Sequence, residues 1–204
     1  MRQLAKRAID LLLTIPALVV LSPLMAAVAV GVWLSMGRPV LFRQLRPGRN
    51  ARPFMLLKFR TMNDRTDQQG HLLPDAERLT EFGRFLRATS LDELPQLWNV
   101  LRGEMSLVGP RPLLMRYMDF FSDEERSRFA VPPGITGLAQ LSGRNHLQWD
   151  ERLSKDVEYV RNWGLLLDLR ILARTALSVV KREGVNVDAG SAMADLDTER
   201  KRHA

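Results

Sequence analysis

The sequence contains no cysteine. Disulfide stapling, thiolate catalysis and cysteine-based zinc sites are therefore excluded. Histidine is scarce: His71, His146 and His203 stand far apart, without metal-ligand spacing. No Gly-rich Rossmann or P-loop run occurs, so no ordinary nucleotide-binding fold is recognisable by motif. No internal repeat is visible. Charge is missing altogether from Leu11 to Gly37. Elsewhere it is biased, with 30 Lys+Arg against 23 Asp+Glu and a net +7. That balance favours anionic partners: nucleic acid, an anionic membrane surface or phosphorylated substrates. Nucleic acid explains the charge but not the uncharged run, so it is set aside. A chain of 204 residues, 46% of them hydrophobic, suits one domain with a real core.

The uncharged run is long enough to cross a hydrocarbon core as one straight helix. Ser22-Pro23 falls near its middle. Proline removes a ladder hydrogen bond there and kinks a helix. Each half is then roughly 20 Å long, too short to span alone. Both flanks are basic: Arg2, Lys6 and Arg7 before, Arg38, Arg43 and Arg46 after. Lysine and arginine hold loops on the cytoplasmic side. A helix that dips in, breaks at Ser22-Pro23 and returns satisfies both facts. A single crossing and a signal peptide remain open as alternatives. Asp10 is expected near the interface, beside Lys6 or Arg7.

Next comes a hairpin pattern. Pro39 to Leu45 and Phe54 to Met62 read as strands, joined by turn chemistry at Arg46-Pro-Gly-Arg-Asn. Alternation puts Lys58 and Arg60 on one face, where two basic residues are equally a solvated strand face. Asp75 to Arg87 reads as a helix with Leu79, Phe82 and Leu86 inward. Then Thr89 to Pro112 reads TSLDELPQLWNVLRGEMSLVGPRP. Ser90 and Glu93 have capping-box spacing. Leu91, Leu94, Trp98 and Leu101 recur at helical spacing. Asp92 and Glu93 would lie in the opening turn, kept ionised by the helix dipole. Capping alone would account for the acids. Their company argues for more: Arg87 precedes them, and Arg111 follows between two prolines. A fixed anion beside fixed guanidinium groups suits a phosphate-bearing electrophile attacked by a carboxylate.

The run LDELPQLWNVLRGEMSLVGPRP resembles the signature of bacterial sugar transferases, the monotopic phosphoglycosyl transferases. The match extends over most of residues 1–183, and the chain resembles the family's minimal catalytic unit. The resemblance implies transfer of a sugar-1-phosphate from a UDP-sugar to polyprenyl phosphate, most simply undecaprenyl phosphate. Asp92 would attack the β-phosphorus, UMP would leave, and the acceptor would discharge a sugar-phosphoryl aspartate. Glu93 would hold Mg²⁺ or take a proton from the acceptor, with Asp92 as the second metal ligand. Lys58, Arg87, Arg111 and Arg144 would bind substrate phosphates. The resemblance also implies a re-entrant helix broken at Ser22-Pro23, and a place on the cytoplasmic face of the bacterial inner membrane. Membrane lipids are the expected contact, and a homo-oligomer is left open. A membrane-anchored binding protein without catalysis is the competing function.

The rest of the chain supplies cover. Ser122 to Glu125 is a second capping box. Val131 to Gln140, with Pro132, Pro133, Gly134 and Gly137, reads as a structured loop whose glycines let backbone approach a ligand. Leu165 to Arg182 reads as a helix with Arg170, Arg174 and Lys181 on one face; membrane interface and core packing are equal options. Asp168 is expected in a structural ion pair. The expected architecture is α+β: a helix-rich compact domain with a small β-hairpin, plus the N-terminal membrane helix. Its parts are a re-entrant helix at 1–37, a catalytic domain at 38–184 and a flexible polar tail at 185–204.

Overall fold

A computed structural model describes residues 2–142, 147–181 and 195–202. The long N-terminal helix α1 runs Arg2–Met36 and contains both Pro16 and Pro23. It is assigned as continuous helix, so no two separate helices meet at Ser22-Pro23. The local chemistry shows why the proline is tolerated. Pro23 cannot donate to the Val19 carbonyl, and the Ser22 hydroxyl donates to it instead, at 2.7 Å.

Both ends of α1 pack on the same body. Near the start, Lys6 Nζ donates to Asp168 at 2.5 Å and to the Val108 carbonyl at 2.9 Å. Arg7 donates to the Val100 and Leu101 carbonyls. Asp10 accepts from the Ser106 hydroxyl and the Leu107 amide, both at 3.0 Å. Asp10 therefore bonds neither Lys6 nor Arg7, as had been expected, and Asp168 is in the ion pair expected of it. Near the end, Val28 and Val32 are buried with Phe59 and Leu86. Between and around these anchors, Leu12, Ile15, Val19, Val20 and Leu34 lie exposed.

The hairpin forms as expected, with β1 (Leu41–Pro47) antiparallel to β2 (Pro53–Phe59) and Phe42 opposite Lys58. The helical pattern after it divides into α2 (Asp75–Arg78) and α3 (Glu81–Ala88). The Thr80 side chain caps α3 by accepting from the Gly83 amide, which starts a new helix inside the expected one. Gly83 is required by contact: a Cβ there would lie 1.9 Å from the Thr61 carbonyl oxygen. α4 (Gln96–Arg102) follows a 3₁₀ turn at Leu91–Glu93.

The capping box expected at Ser90 is absent. Ser90 sits at φ 56°, in the left-handed region, and its side chain makes no capping bond. Pro95, not Ser90, precedes the first turn of α4. The buried face of α4 is also rotated from the expected one. It carries Gln96, Leu97, Asn99 and Val100, while Trp98 is 47% exposed. Asn99 ties α4 to the hairpin: it accepts from the Leu57 amide at 3.1 Å and donates to the Met55 carbonyl at 2.8 Å. Lys58 is thereby fixed in place by its neighbour's backbone.

A second small sheet was not anticipated. β3 (Ser106–Val108) pairs in parallel with β4 (Gly134–Thr136). The glycines of the expected ligand loop serve this pairing: a Cβ on Gly134 would lie 2.1 Å from the Gly109 amide nitrogen. Here backbone approaches backbone. Around it sit α5 (Asp123–Arg126), α6 (Leu138–Leu141), α7 (Trp149–Asn162) and α8 (Leu165–Lys181). The capping box at Ser122 and Glu125 is present in full. α8 packs on the core through Ile171 and Asp168, which are buried, while Leu166, Leu169 and Leu177 are exposed. Helix α9 (Leu196–Arg202) corrects the polar tail for its described part, since Leu196 is fully buried against Tyr117, Trp149 and their neighbours.

Because α3 seats directly on Thr61, Gly83→Ala should destabilise the fold by about 2–3 kcal/mol through overpacking against rigid backbone. Thermal unfolding in detergent checks this. An unchanged midpoint would mean that α3 is not held at this distance.

Candidate active site

Three elements converge on one cleft of about 1200 Å³. The Leu91–Glu93 turn supplies Asp92 and Glu93, β2 supplies Lys58, and the segment after β3 supplies Arg111. Lys58 Nζ lies 2.7 Å from Glu93 Oε1 and 3.8 Å from Asp92 Oδ2. Arg111 Nη2 lies 2.5 Å from the same Glu93 Oε1, and its Nη1 lies 3.5 Å from Oε2. Asp92 is buried. Arg87 borders the cleft and donates from Nε to the Thr61 hydroxyl at 3.2 Å. The structure thus brings together five of the expected residues: Lys58, Arg87, Asp92, Glu93 and Arg111. Arg144 lies outside the described residues. Arg60, read on the same strand face as Lys58, instead clamps the chain: it pairs with Asp64 and donates to the Met36, Arg38 and Met62 carbonyls.

The two carboxyls are pushed apart. Burial raises the Asp92 carboxyl above the usual aspartate range, against the pull of Lys58. Burial also acts on Glu93, but the charges of Arg111 and Lys58, with their hydrogen bonds, hold it well below the usual glutamate range. Ionisation by the helix dipole does not describe this pair. The acids precede α4 in a separate 3₁₀ turn; burial decides for Asp92, and the charges of Arg111 and Lys58 decide for Glu93.

One residue supporting Arg111 carried no signal in the sequence. Arg128 is 3% exposed, donating from Nη2 to the Arg111 carbonyl and to Asp156 Oδ2, both at 2.7 Å. Its guanidinium also lies over the Phe121 and Phe129 rings. Seventeen residues separate it from Arg111, so only the fold reveals the contact.

Among the described residues no three His, Cys, Asp or Glu side chains gather to hold a metal. The dyad offers two carboxylates only. That suffices for a Mg²⁺ carried on substrate phosphates, which takes one or two protein carboxylates. Among the described residues the one ion pair of Asp92 is with Lys58 at 3.8 Å, and Glu93 Oε2 accepts from Arg111 at 3.5 Å, so both keep lone pairs for such an ion.

The model of the bacterial sugar transferases matches residues 1–182. The chain belongs to the bacterial sugar transferase family. An uncharacterized sugar transferase of Bacillus subtilis, EpsL, is 49% identical over 180 residues, covering 88% of this chain and 89% of its own. A UDP-glucose:undecaprenyl-phosphate glucose-1-phosphate transferase of Xanthomonas campestris is 43% identical over 188 residues, 86% of this chain but 39% of its own length. One of the same name from Caulobacter vibrioides is 41% identical over 192 residues, covering 87% and 70%. The family match ends before α9 begins.

The linkage of Glu93 to stability has a definite sign. A carboxyl depressed in the folded state stabilises the fold fully above its unfolded pKa, and that contribution is lost as pH falls through the folded pKa. The advantage of the wild type over Glu93→Gln should therefore be constant at neutral pH and shrink below the ordinary glutamate value of 4.5. Denaturant unfolding of both proteins across pH reads it. A difference that ignores pH would remove the charge knot from the account.

Proposed function

We propose that this sugar transferase moves a sugar-1-phosphate from a UDP-sugar to polyprenyl phosphate, with undecaprenyl phosphate as the acceptor. The observation that carries this reading is the buried Asp92 carboxylate beside Lys58 in the cleft, in a chain of this family. Asp92 attacks the β-phosphorus of the donor. The bond from that phosphorus to the bridging oxygen breaks, UMP departs with the electron pair, and a sugar-phosphoryl aspartate remains. A phosphate oxygen of the acceptor then attacks the same phosphorus and frees Asp92. Burial leaves Asp92 poorly solvated and more basic than an ordinary aspartate, which favours attack. Glu93 is a poor general base, because two cations hold its proton affinity low. Its work is to aim Lys58 and Arg111 at the phosphates, where charge develops. Arg87 and Arg144 complete the phosphate-binding set. Mg²⁺ held by Asp92 and Glu93 would neutralise phosphate oxygens.

The covalent step is open to direct measurement. Without acceptor, the wild type should release UMP up to one equivalent and gain the mass of a sugar phosphate on the peptide containing Asp92. Asp92→Asn should show neither, because an amide is a poor nucleophile. Full turnover by Asp92→Asn, or a first release of UMP that requires acceptor, would leave a one-step mechanism instead.

The same reading places the enzyme on the cytoplasmic face of the inner membrane, with α1 re-entrant. Three features support it. Both ends of α1 pack on one body, its flanks are basic, and Ser22 relieves the carbonyl that Pro23 leaves open. Asp10 and Val28 would stand about 27 Å apart on a straight helix. Trp33, Trp98 and the exposed leucines of α8 suit an interface rather than water. Single cysteines replacing Gln3 and Asn50 should both be shielded from an impermeant thiol reagent added on the periplasmic side. Labelling of position 3 from that side would mean that α1 crosses.

A further inference from the structure

Arg46 lies near the end of strand β1 and borders the same cleft as Asp92 and Arg111. It belongs to no part of the mechanism above. Its surroundings are unusual for an arginine. Among the described residues, its buried Nε atom has no hydrogen-bond partner. Nη1 reaches only the Pro112 carbonyl, at 3.3 Å, and Nη2 the neutral Gln44 side chain, at 2.5 Å. Among the described residues, no carboxylate pairs with it. The local anions are committed elsewhere: Glu93 to Lys58 and Arg111, Asp195 and Asp197 to Arg116. The charged neighbours that act on Arg46 are the cations Arg111 and Arg116, with Tyr117 opposing them. Burial, then these like charges, push its guanidinium down to about 10.

A partly buried guanidinium with an unpaired N–H among other cations is costly unless an anion arrives. A planar fork with a free Nε–H is suited to a phosphate, which accepts two parallel bonds. Gln44 and Pro112 hold the fork from the other side. Lys58 lies 3.8 Å from Asp92, and Arg111 and Arg87 also act on it, while Arg46 borders the same cleft beside Arg111.

We propose that Arg46 is a recognition residue for the phosphate of the departing nucleoside monophosphate, binding it beside Arg111. The proposal rests on the transferase reading and adds the group that holds the leaving side of the diphosphate. In-line displacement needs the leaving oxygen opposite the nucleophile. A cation at that oxygen steadies the charge that UMP carries away. The acceptor lipid also bears a phosphate, so the two sources must be separated.

The test has two arms, both on the full-length protein in detergent. The first measures UMP binding by calorimetry to Asp92→Asn protein with and without Arg46→Gln, so that no turnover is needed. UMP affinity should fall by about tenfold on losing the fork. The second compares Michaelis constants in proteins that keep Asp92. Arg46→Gln should raise that for the UDP-sugar by about tenfold and leave that for polyprenyl phosphate within about twofold. Arg46→Lys keeps the charge without the fork and should recover only part of the loss. Unchanged UMP affinity in a variant with wild-type unfolding temperature would overturn the proposal. So would a shift confined to the acceptor, which would assign Arg46 to the lipid phosphate. Should catalysis fail while UMP binding still depends on Arg46, the transferase reading falls and the nucleotide site stands.

Discussion

The Glu93 carboxylate lies between two cations that reach it from separate parts of the chain. Lys58 comes from the hairpin and Arg111 from the segment after β3. The rest of the site depends on this junction. Taking a carboxylate out of water costs several kcal/mol, and two charges within hydrogen-bond distance offset that cost. In return, Glu93 keeps Lys58 and Arg111 from repelling one another and fixes where both point. Each cation is also braced from behind. Asn99 holds the backbone on either side of Leu56, at the Met55 carbonyl and the Leu57 amide, one step from Lys58. Arg128, itself locked to Asp156 between two aromatic rings, holds the carbonyl of Arg111. These braces belong to α4 and to the 3₁₀ turn at Ser127–Ala130, so the fold's interior is what aims the site.

Adjacent acids with opposite environments are a means of dividing labour. Glu93 has the cations, and Asp92 has the burial with one cation at longer range. The first is an organiser that stays charged. The second is a carboxylate whose basicity is raised rather than spent in an ion pair. A nucleophile locked in a 2.5 Å bond to arginine would have to break that bond before attacking. Asp92 has no such bond, and the proposed roles follow that difference.

How much of this could be read from the sequence varied with the range of the interactions. That Asp92, Glu93 and Arg111 gather was legible from an acid pair flanked by a proline-held arginine, and Lys58 joined them only through the resemblance to a family signature. The hairpin was legible from alternation and turn residues. The capping box at Ser90 was misread because spacing does not reveal backbone handedness. Ser90 adopts φ 56°, its hydroxyl is not aimed at the Glu93 amide, and the helix starts afresh after Pro95. The parallel pair of β3 and β4 escaped because each strand has three residues, too few for a period. Arg128, Asn99 and Arg46 act through contacts distant in sequence, which no local pattern encodes. Arg144 lies outside the described residues.

The N-terminal helix shows what kind of surroundings the whole arrangement assumes. Its polar and charged side chains Lys6, Asp10 and Thr14 are buried against protein, while Leu12, Val19, Val20 and Leu34 are exposed. That is the reverse of a helix on a water-soluble domain, where the apolar stripe faces the core. The inversion is consistent if the medium outside is apolar. Charges then shelter in the protein, where Asp168, Val108 and Ser106 satisfy them, and leucines face the lipid. The buried anchor is placed with consequence, too. Lys6 binds the Val108 carbonyl, immediately before Gly109-Pro110-Arg111, so the foot of α1 and the arginine that pairs with Glu93 share one short stretch of backbone.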